Sequence, residues 1–134
     1  MNTFKLNVAT PDGVYHDGDA VSITVKTTEG DVQILAGHAD YLAALGTGTV
    51  KIVLPDASVR TAASSGGFIS CVTGEVRVVA TTFEYSDDID LKRATRAKEK
   101  AEEMLSSAKD TGSVALARAK LARALTRISV AKKG

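Results

Sequence analysis

The chain has 134 residues, of which 25% are charged and 44% are hydrophobic, and its formal net charge is +1. These proportions are ordinary for a globular protein, so they exclude a disordered or fibrous chain. No apolar run approaches the roughly 18 to 20 residues of a membrane-spanning helix, and residues 1–5 lack the features of a signal peptide. We therefore expect an intracellular protein of one domain or two small ones.

The charge is unevenly distributed along the chain. Residues 1–86 contain five basic and nine acidic residues, for a net charge of −4, whereas residues 87–134 contain twelve basic and seven acidic residues, for +5. A basic tail on an acidic body indicates an anionic partner for the tail, such as acidic protein surface, nucleic acid or phosphate. The single cysteine, Cys71, excludes an internal disulfide and is expected to be a buried apolar side chain.

The first 85 residues are typical of an all-β domain. Short runs with strand chemistry alternate with turn signals that contain Gly, Pro or Asp. Apolar and polar residues alternate clearly at 21–25 and 76–79, which predicts one buried and one wet face. Many short strands without intervening helices favour an antiparallel sandwich or barrel. The predicted strands are 4–9, 20–26, 32–35, 50–54, 58–63, 68–72 and 75–80.

Two segments of this domain look like functional motifs but lack essential parts. Residues 46–49, Gly-Thr-Gly-Thr, lack the lysine of a phosphate-binding loop and lead into a predicted strand instead of a helix. Residues 64–67 form no nucleophile elbow, and only two histidines, His16 and His38, are available for a catalytic triad. We expect His16 to lie in a surface loop beside Asp17, whereas His38 fits a structural role and a partner contact equally well.

Residues 86–134 are typical of a helical hairpin. Asp87 is expected to cap the first helix, with Asp90 at its third position completing a capping box. Residues 110–113 should separate the helices, with Gly112 ending the first and Ser113 capping the second. The apolar positions predicted for the first helix are Ala94, Ala97, Ala101, Met104, Leu105 and Ala108. Those predicted for the second are Val114, Ala117, Leu121, Leu125 and Ile128.

These observations predict an α+β protein. An N-terminal antiparallel β-sandwich domain, residues 1–85, is followed by a C-terminal antiparallel two-helix hairpin, residues 86–134. The alanine-rich seam buries about one methyl group per contact, roughly 0.8 kcal/mol each, against roughly 1 to 2 kcal/mol of backbone entropy per ordered residue. We therefore expect a hairpin of marginal stability, which a ligand or partner can move.

Basic side chains on the hairpin form a candidate anion site. Arg123 and Arg127 are four residues apart on the second helix, and an antiparallel return brings them level with Asp90 and Arg93. Guanidinium groups match phosphate oxygens well, so Arg93, Arg123 and Arg127, with Lys100, are placed to converge on a polyphosphate. Periodicity alone favours the alternative that these residues form a solvated basic face.

The chain resembles the epsilon subunit of bacterial F-type ATP synthases, and the resemblance covers essentially its whole length. The segments that carry it include Glu-Gly-Asp-Val-Gln-Ile-Leu-Ala-Gly-His-Ala at 29–39 and Asp-Ile-Asp-Leu-Lys-Arg-Ala at 88–94. Shorter matching segments are residues 8–13, 65–68 and 123–130. Each segment alone is weak evidence for the family, but the segments together in this order are specific to it.

The resemblance implies a flattened β-sandwich followed by two helices, in a non-catalytic subunit of the rotor central stalk. Such a subunit couples the γ subunit to the c-ring of the proton-translocating complex, at the cytoplasmic face of the bacterial cell membrane. Its helices either fold down beside the sandwich or extend along γ into the catalytic α/β head, where they inhibit ATP hydrolysis. No metal or nucleic acid is implied, and Asp31 and His38 fall in the family's interface regions.

In some members of that family the folded hairpin binds one ATP. The motif is Ile or Leu, Asp, two variable residues, Arg and Ala, together with arginines on the second helix. The matching residues here would bind ATP as a regulatory ligand without a magnesium requirement, and no cofactor is required. A further basic position on the first helix, an arginine in the ATP-binding members, is filled here by Lys100 or by Arg96, and the ammonium group of a lysine cannot reproduce bidentate contact. The implied ATP-binding residues are Glu84, Ile89, Asp90, Arg93, Ala94, Lys100, Arg123 and Arg127.

Two other functions remain as alternatives to the family assignment. A small nucleotide hydrolase would use Asp90 and the arginines, but the hairpin lacks a magnesium-binding carboxylate set and a placed base. A basic-tailed adaptor or nucleic-acid module would use the same helices, but the tail has no aromatic residue for base stacking.

Overall fold

The computed structural model of the chain describes residues 2–133, and the side chains of residues 2–132. The outermost residues of the two predicted domains, 1 and 134, therefore lie outside the described part. The N-terminal region forms ten strands: β1 (Phe4–Thr10), β2 (Gly13–Ala20), β3 (Ser22–Thr27), β4 (Gly30–Leu35), β5 (Tyr41–Ala44), β6 (Gly48–Val53), β7 (Val59–Ser65), β8 (Phe68–Val72), β9 (Glu75–Val79) and β10 (Thr82–Tyr85).

The strands form two five-stranded sheets that pack face to face. The first sheet has the order β2-β1-β9-β8-β5, and the second has the order β10-β7-β6-β3-β4. Pairing is antiparallel except between β1 and β9, which run parallel. The predicted fold class, a β-sandwich followed by a helical hairpin, is confirmed.

Strand alternation places one apolar face of each sheet in a common core. The largest fully buried side chains include Leu6, Val8, Ile23, Ile52 and Val78. Burial of such a side chain contributes about 1.5 to 3 kcal/mol, so this core dominates the stability of the sandwich. Cys71 is also buried in this cluster, as predicted from its position in a strand.

Three strands were not predicted from the sequence, and all three lie at sheet edges. β2, β5 and β10 each have only one neighbouring strand, and β5 and β10 contain only four residues each. β2 includes two Gly and two Asp, which are poor strand formers. His16 therefore lies in β2, opposite Val8, and the expectation of a loop was wrong.

The start of the hairpin differs from the predicted capping box. Residues Ser86–Asp88 form a short 3-10 helix, and α1 (Leu91–Ser107) begins only after it. Asp90 is the N-cap, and its Oδ1 accepts a hydrogen bond from the backbone N–H of Arg93 at 3.1 Å. The prediction that Asp87 caps the helix was wrong, because the chain first closes the short 3-10 helix.

The second helix, α2 (Thr111–Lys133), begins earlier than predicted. Asp110 accepts hydrogen bonds from the backbone N–H of Ser113 at 2.7 Å and from its hydroxyl at 2.9 Å. These bonds lower the pKa of Asp110. Gly112 and Ser113 therefore lie in the first turn of α2. The carboxylate of Asp110 caps the helix by accepting the backbone N–H of Ser113, the role that had been predicted for the side chain of Ser113.

The two helices meet along a narrow seam of small residues. Its buried members are Ala94 and Ala101 on α1 and Ala117 and Ala124 on α2, each pair seven residues apart. A seven-residue spacing keeps one stripe of each helix against the other. Ala97 and Leu125, which were predicted to be buried, lie outside this stripe and are exposed. Within residues 2–133, no helix combines the length and the apolar character needed to cross a bilayer.

Candidate functional site

A cleft of about 580 Å³ opens where α2 packs on the second sheet. α2 contacts β7, β6 and the short 3-10 helix, so the cleft lies at the junction between sandwich and hairpin. Its lining is mainly charged and hydroxyl side chains. The lining residues are Thr10, Asp12, Tyr15, Thr47, Ala63, Ser64, Ser65, Thr81, Thr82, Phe83, Glu84, Asp88, Arg93, Arg123, Thr126 and Arg127.

Three guanidinium groups lie on the hairpin side of this cleft. Arg93 comes from the first turn of α1, and Arg123 and Arg127 come from successive turns of α2. The antiparallel hairpin thus brings together residues about thirty positions apart, as helical spacing predicted. A cleft with three guanidinium groups can bind a polyanion, because each group offers several N–H donors in a fixed plane.

One carboxylate forms an ion pair with one of these arginines. Oε1 of Glu84 accepts a hydrogen bond from Nε of Arg127 at 2.8 Å, and the two side chains are 33% and 26% exposed, respectively. Among the side chains of residues 2–132, this is the only ion pair. Partly exposed pairs contribute only about 0.2 to 1 kcal/mol, so this pair ties α2 to β10 weakly.

Apart from Glu84 on β10, the sandwich side of the cleft was not predicted from the sequence. Ser65 and Thr82 hydrogen-bond to each other through their hydroxyl groups. The Ser64 hydroxyl is buried and has no partner among the described residues. The ring centroids of Tyr15 and Phe83 lie 5.3 Å apart, and both residues line the same side of the cleft. No local pattern marks these residues, because they meet only when the strands pair and the two sheets close.

Four of the predicted ATP-binding residues do not line the cleft. The carboxylate of Asp90 caps α1, and Ala94 is buried in the helix seam. Ile89 is half-buried between the short 3-10 helix and α1, and Lys100 is exposed two turns beyond Arg93. The structure therefore brings together Glu84, Arg93, Arg123 and Arg127, and places the other four around them.

The two predicted partner contacts are not among the residues that line the cleft. Asp31 is exposed on the edge strand β4. His38 lies in the loop between β4 and β5, where its Nδ1 is 2.6 Å from the carbonyl oxygen of Ala39 and its ring is 5.8 Å from that of Tyr41. Both residues therefore belong to the sandwich surface and not to the anion-binding candidate.

The outer face of the first sheet carries a second surface feature. Leu42 on β5 is 72% exposed, and Phe68 and Val72 on β8 are 41% and 57% exposed. Leu42 pairs with Ser70, so these three apolar side chains share one face of the sheet. Large exposed apolar side chains that adjoin one another are typical of a protein-binding surface.

Comparison with known proteins identifies the family. A model described as the beta-sandwich domain of the ATP synthase Delta/Epsilon chain matches residues 3–86, and one for its long alpha-helix domain matches residues 87–132. The ATP synthase epsilon chain of Ruminococcus albus is 42% identical over 134 residues, with 99% of each chain covered. The epsilon chain of Bacillus velezensis is 37% identical over 131 residues, with 98% of each chain covered.

Solved structures show the same fold. A chain from the Euglena gracilis mitochondrial ATP synthase superposes with a TM-score of 0.84 at 22% identity, covering 97% of this chain and 81% of that one. A chain from the Tetrahymena thermophila mitochondrial ATP synthase gives a TM-score of 0.63 at 18% identity, covering 96% and 93%. Because both domain models match and full-length relatives share about two fifths of their residues, the chain belongs to the family of ATP synthase epsilon chains.

Proposed function

We propose that the chain is a non-catalytic subunit of the rotor central stalk, in which the sandwich couples the γ subunit to the c-ring. The similarity to ATP synthase epsilon chains over the whole chain supports this role. The Tetrahymena structure is described as a central stalk and c-ring assembly. A subunit in that position reaches the membrane only through the complex, at the cytoplasmic face in a bacterium.

The observation that carries the coupling role is the exposed apolar face of the first sheet. Burial of Leu42, Phe68 and Val72 against γ would remove apolar surface from water, which is the main driving force of association. Asp31 lies on β4 of the second sheet, beside α2, and His38 lies in the loop between β4 and β5; both are proposed as further partner contacts.

We predict that Leu42→Asp weakens binding to γ by about tenfold to a hundredfold, because it places a charge in the centre of a buried contact. Co-purification and calorimetry with purified γ measure this loss. Leu116→Asp is the matched control, since Leu116 is 52% exposed on α2, outside the apolar face. Equal loss in both variants, or retention of γ by Leu42→Asp, would argue against this surface.

The hairpin is proposed to inhibit ATP hydrolysis by leaving the sandwich and extending into the catalytic α/β head. Its packing is suited to such a movement, because small residues fill the helix seam and one weak ion pair ties α2 to β10. Its basic side chains would then meet acidic surface on the head. The folded and extended states differ in whether the seam between α1 and α2 is formed.

We predict that Ala117→Leu favours the extended state. Ala117 is fully buried in the seam, and overpacking there costs about 1 to 3 kcal/mol of hairpin stability. The expected result is faster amide exchange in α1 of the isolated chain and stronger inhibition of ATP hydrolysis in the reconstituted complex. Ala119→Leu, at an exposed position of α2, should change neither measurement. Unchanged inhibition by Ala117→Leu would contradict the proposed movement.

ATP is proposed as the ligand that holds the hairpin down. The cleft at the junction supplies Arg93, Arg123 and Arg127 for the phosphates, and ligand bound there would contact both sandwich and helices. The remaining residues of the proposed set follow from the family resemblance; they are Glu84, Ile89, Asp90, Ala94 and Lys100. Guanidinium groups replace the counter-charge that magnesium supplies to ATP elsewhere, so no magnesium requirement is expected.

A further inference from the structure

A second polar groove lies between α2 and the outer face of the second sheet, towards β3 and β4, whereas the cleft lies towards β10. Its volume is about 620 Å³, and Thr47 and Thr126 line both the groove and the cleft. We infer that this groove is a further anion site, which binds a phosphate ion between the sheet and α2. The groove residues that would contact the ion are Thr24, Lys26, Lys51, Thr126 and Ser129.

The two lysines of the groove lie on the same face of neighbouring strands. Lys51 on β6 is directly opposite Thr24 on β3, and Lys26 is two residues beyond Thr24. Diagonal neighbours of this kind are about 7 to 8 Å apart, which is within reach of long side chains. Both lysines are exposed, and neither forms an ion pair with any side chain of residues 2–132. Because two like charges at this spacing repel each other, an anion between them is favoured.

The missing side chain of Gly48 holds the stem of Lys26 in place. A Cβ at Gly48 would lie 2.8 Å from Cβ and 2.7 Å from Cδ of Lys26, so the stem of this lysine packs directly against the backbone at Gly48. A lysine whose stem is already packed loses less rotamer entropy when its ammonium group binds a ligand. Lys26 is therefore a better ligand-binding group than a lysine with a free side chain.

The α2 side of the groove supplies hydroxyl donors. On α1, the hydroxyl groups of Thr95, Ser106 and Ser107 donate hydrogen bonds to backbone carbonyl groups of their own helix. Thr126 and Ser129 line the groove and form no side-chain hydrogen bond within the described part of the chain, so their O–H groups are free to donate to an anion. A phosphate ion bound to both sides of the groove would link α2 to the sheet.

One carboxylate in the groove opposes an anion. Asp31 is the only acidic residue that lines the groove, and it is directly opposite Lys26 in the β3–β4 pairing. Two lysines against one carboxylate leave the groove with a net charge of +1. A phosphate ion suits this lining, because its several acceptor oxygens can accept from ammonium and hydroxyl donors at once.

Titration of inorganic phosphate into the isotopically labelled full chain, at constant ionic strength, tests the inference by NMR. We expect saturable shifts at the amides of Lys51 and Ser129. Lys51→Gln should weaken binding about fivefold, because it removes one of the two cationic groups. Lys109→Gln is the matched control, since Lys109 is exposed in the loop between α1 and α2 and does not line the groove. It should weaken binding by less than about twofold.

Gly48→Ala separates the position of Lys26 from its charge. This variant keeps both lysines but displaces the stem of Lys26, so it should weaken phosphate binding about threefold. Full affinity in both Gly48→Ala and Lys51→Gln would overturn the inference. Equal weakening by Lys51→Gln and Lys109→Gln would also overturn it, because it would show only a general attraction to basic surface.

The same titration keeps the groove apart from the proposed ATP site. Shifts confined to the amides around Arg93, Arg123 and Arg127 would overturn the inference and leave the ATP site intact. Saturable shifts at Lys51 and Ser129 in the Arg123→Ala variant would support the groove whether or not that variant still responds to ATP. Failure of the groove and failure of the ATP site are therefore separate results.

Discussion

Replacement of Gly67 by alanine is expected to destabilise the sandwich by about 3 to 5 kcal/mol, which is at the upper end of single substitutions. Gly67 joins β7 to β8 with a φ of +86°, and a Cβ there would lie 1.8 Å from the carbonyl oxygen of Val79. The obstacle is backbone, so no side-chain rotation can relieve it. The left-handed conformation adds about 1 to 2 kcal/mol for any residue with a Cβ.

The displacement would spread beyond the turn itself. The carbonyl of Gly67 accepts a hydrogen bond from the backbone N–H of Leu45 at 2.9 Å, which ties the turn to the segment after β5. Movement of Gly67 away from Val79 would weaken this bond as well as the β8–β9 pairing. Urea unfolding followed by circular dichroism measures the loss as a lower midpoint at unchanged slope.

Gly74 provides a control with the same backbone conformation and no obstacle. Its φ is +79°, and no atom lies within 4 Å of an added Cβ. Gly74→Ala should therefore lose only the conformational cost, about 1 to 2 kcal/mol. Similar losses for the two variants would show that the turn at Gly67 relaxes and that close approach to Val79 does not constrain it.

The strands that were predicted from the sequence are those whose side chains form most of the core. β3 and β9 alternate between buried and wet faces, and their register is fixed because a slip of one residue would expose the core face. The edge strands β2, β5 and β10 bury fewer side chains and depend on a neighbour for their conformation. Their pattern is therefore weak in the sequence, although pairing makes them regular in the fold.

The same distinction applies to the candidate site. Arg123 and Arg127 were predicted to meet Arg93 because helical spacing and one short loop determine their relative positions. Tyr15 and Ser64 lie far apart in the sequence and reach the cleft only through sheet closure, so no local pattern marks them. The capping residues Asp90 and Asp110 were each misplaced by a few positions, since several polar residues compete to cap each helix.

ATP is expected to raise the melting temperature of the isolated chain by about 8 °C at a concentration one hundred times its Kd, in buffer with a metal chelator. At that excess a ligand that binds only the folded state adds about 2.7 kcal/mol, and a chain of this size shifts by about 3 °C per kcal/mol. Arg123→Ala should abolish this shift, because it removes a guanidinium group from the cleft without disturbing the helix seam.

Arg118 distinguishes a specific site from a general attraction to the basic helix. It is exposed on α2, carries the same group as Arg123 and does not line the cleft. Arg118→Ala should keep the full shift if ATP binds in the cleft, whereas a diffuse basic face would lose a similar part of the shift in either variant.

An unchanged melting curve at millimolar ATP would leave Asp90 as a helix cap and the arginines as contacts for the catalytic head. Retention of the shift with the chelator present would also separate the cleft from sites that hold ATP through magnesium, because the guanidinium groups would then supply the whole counter-charge.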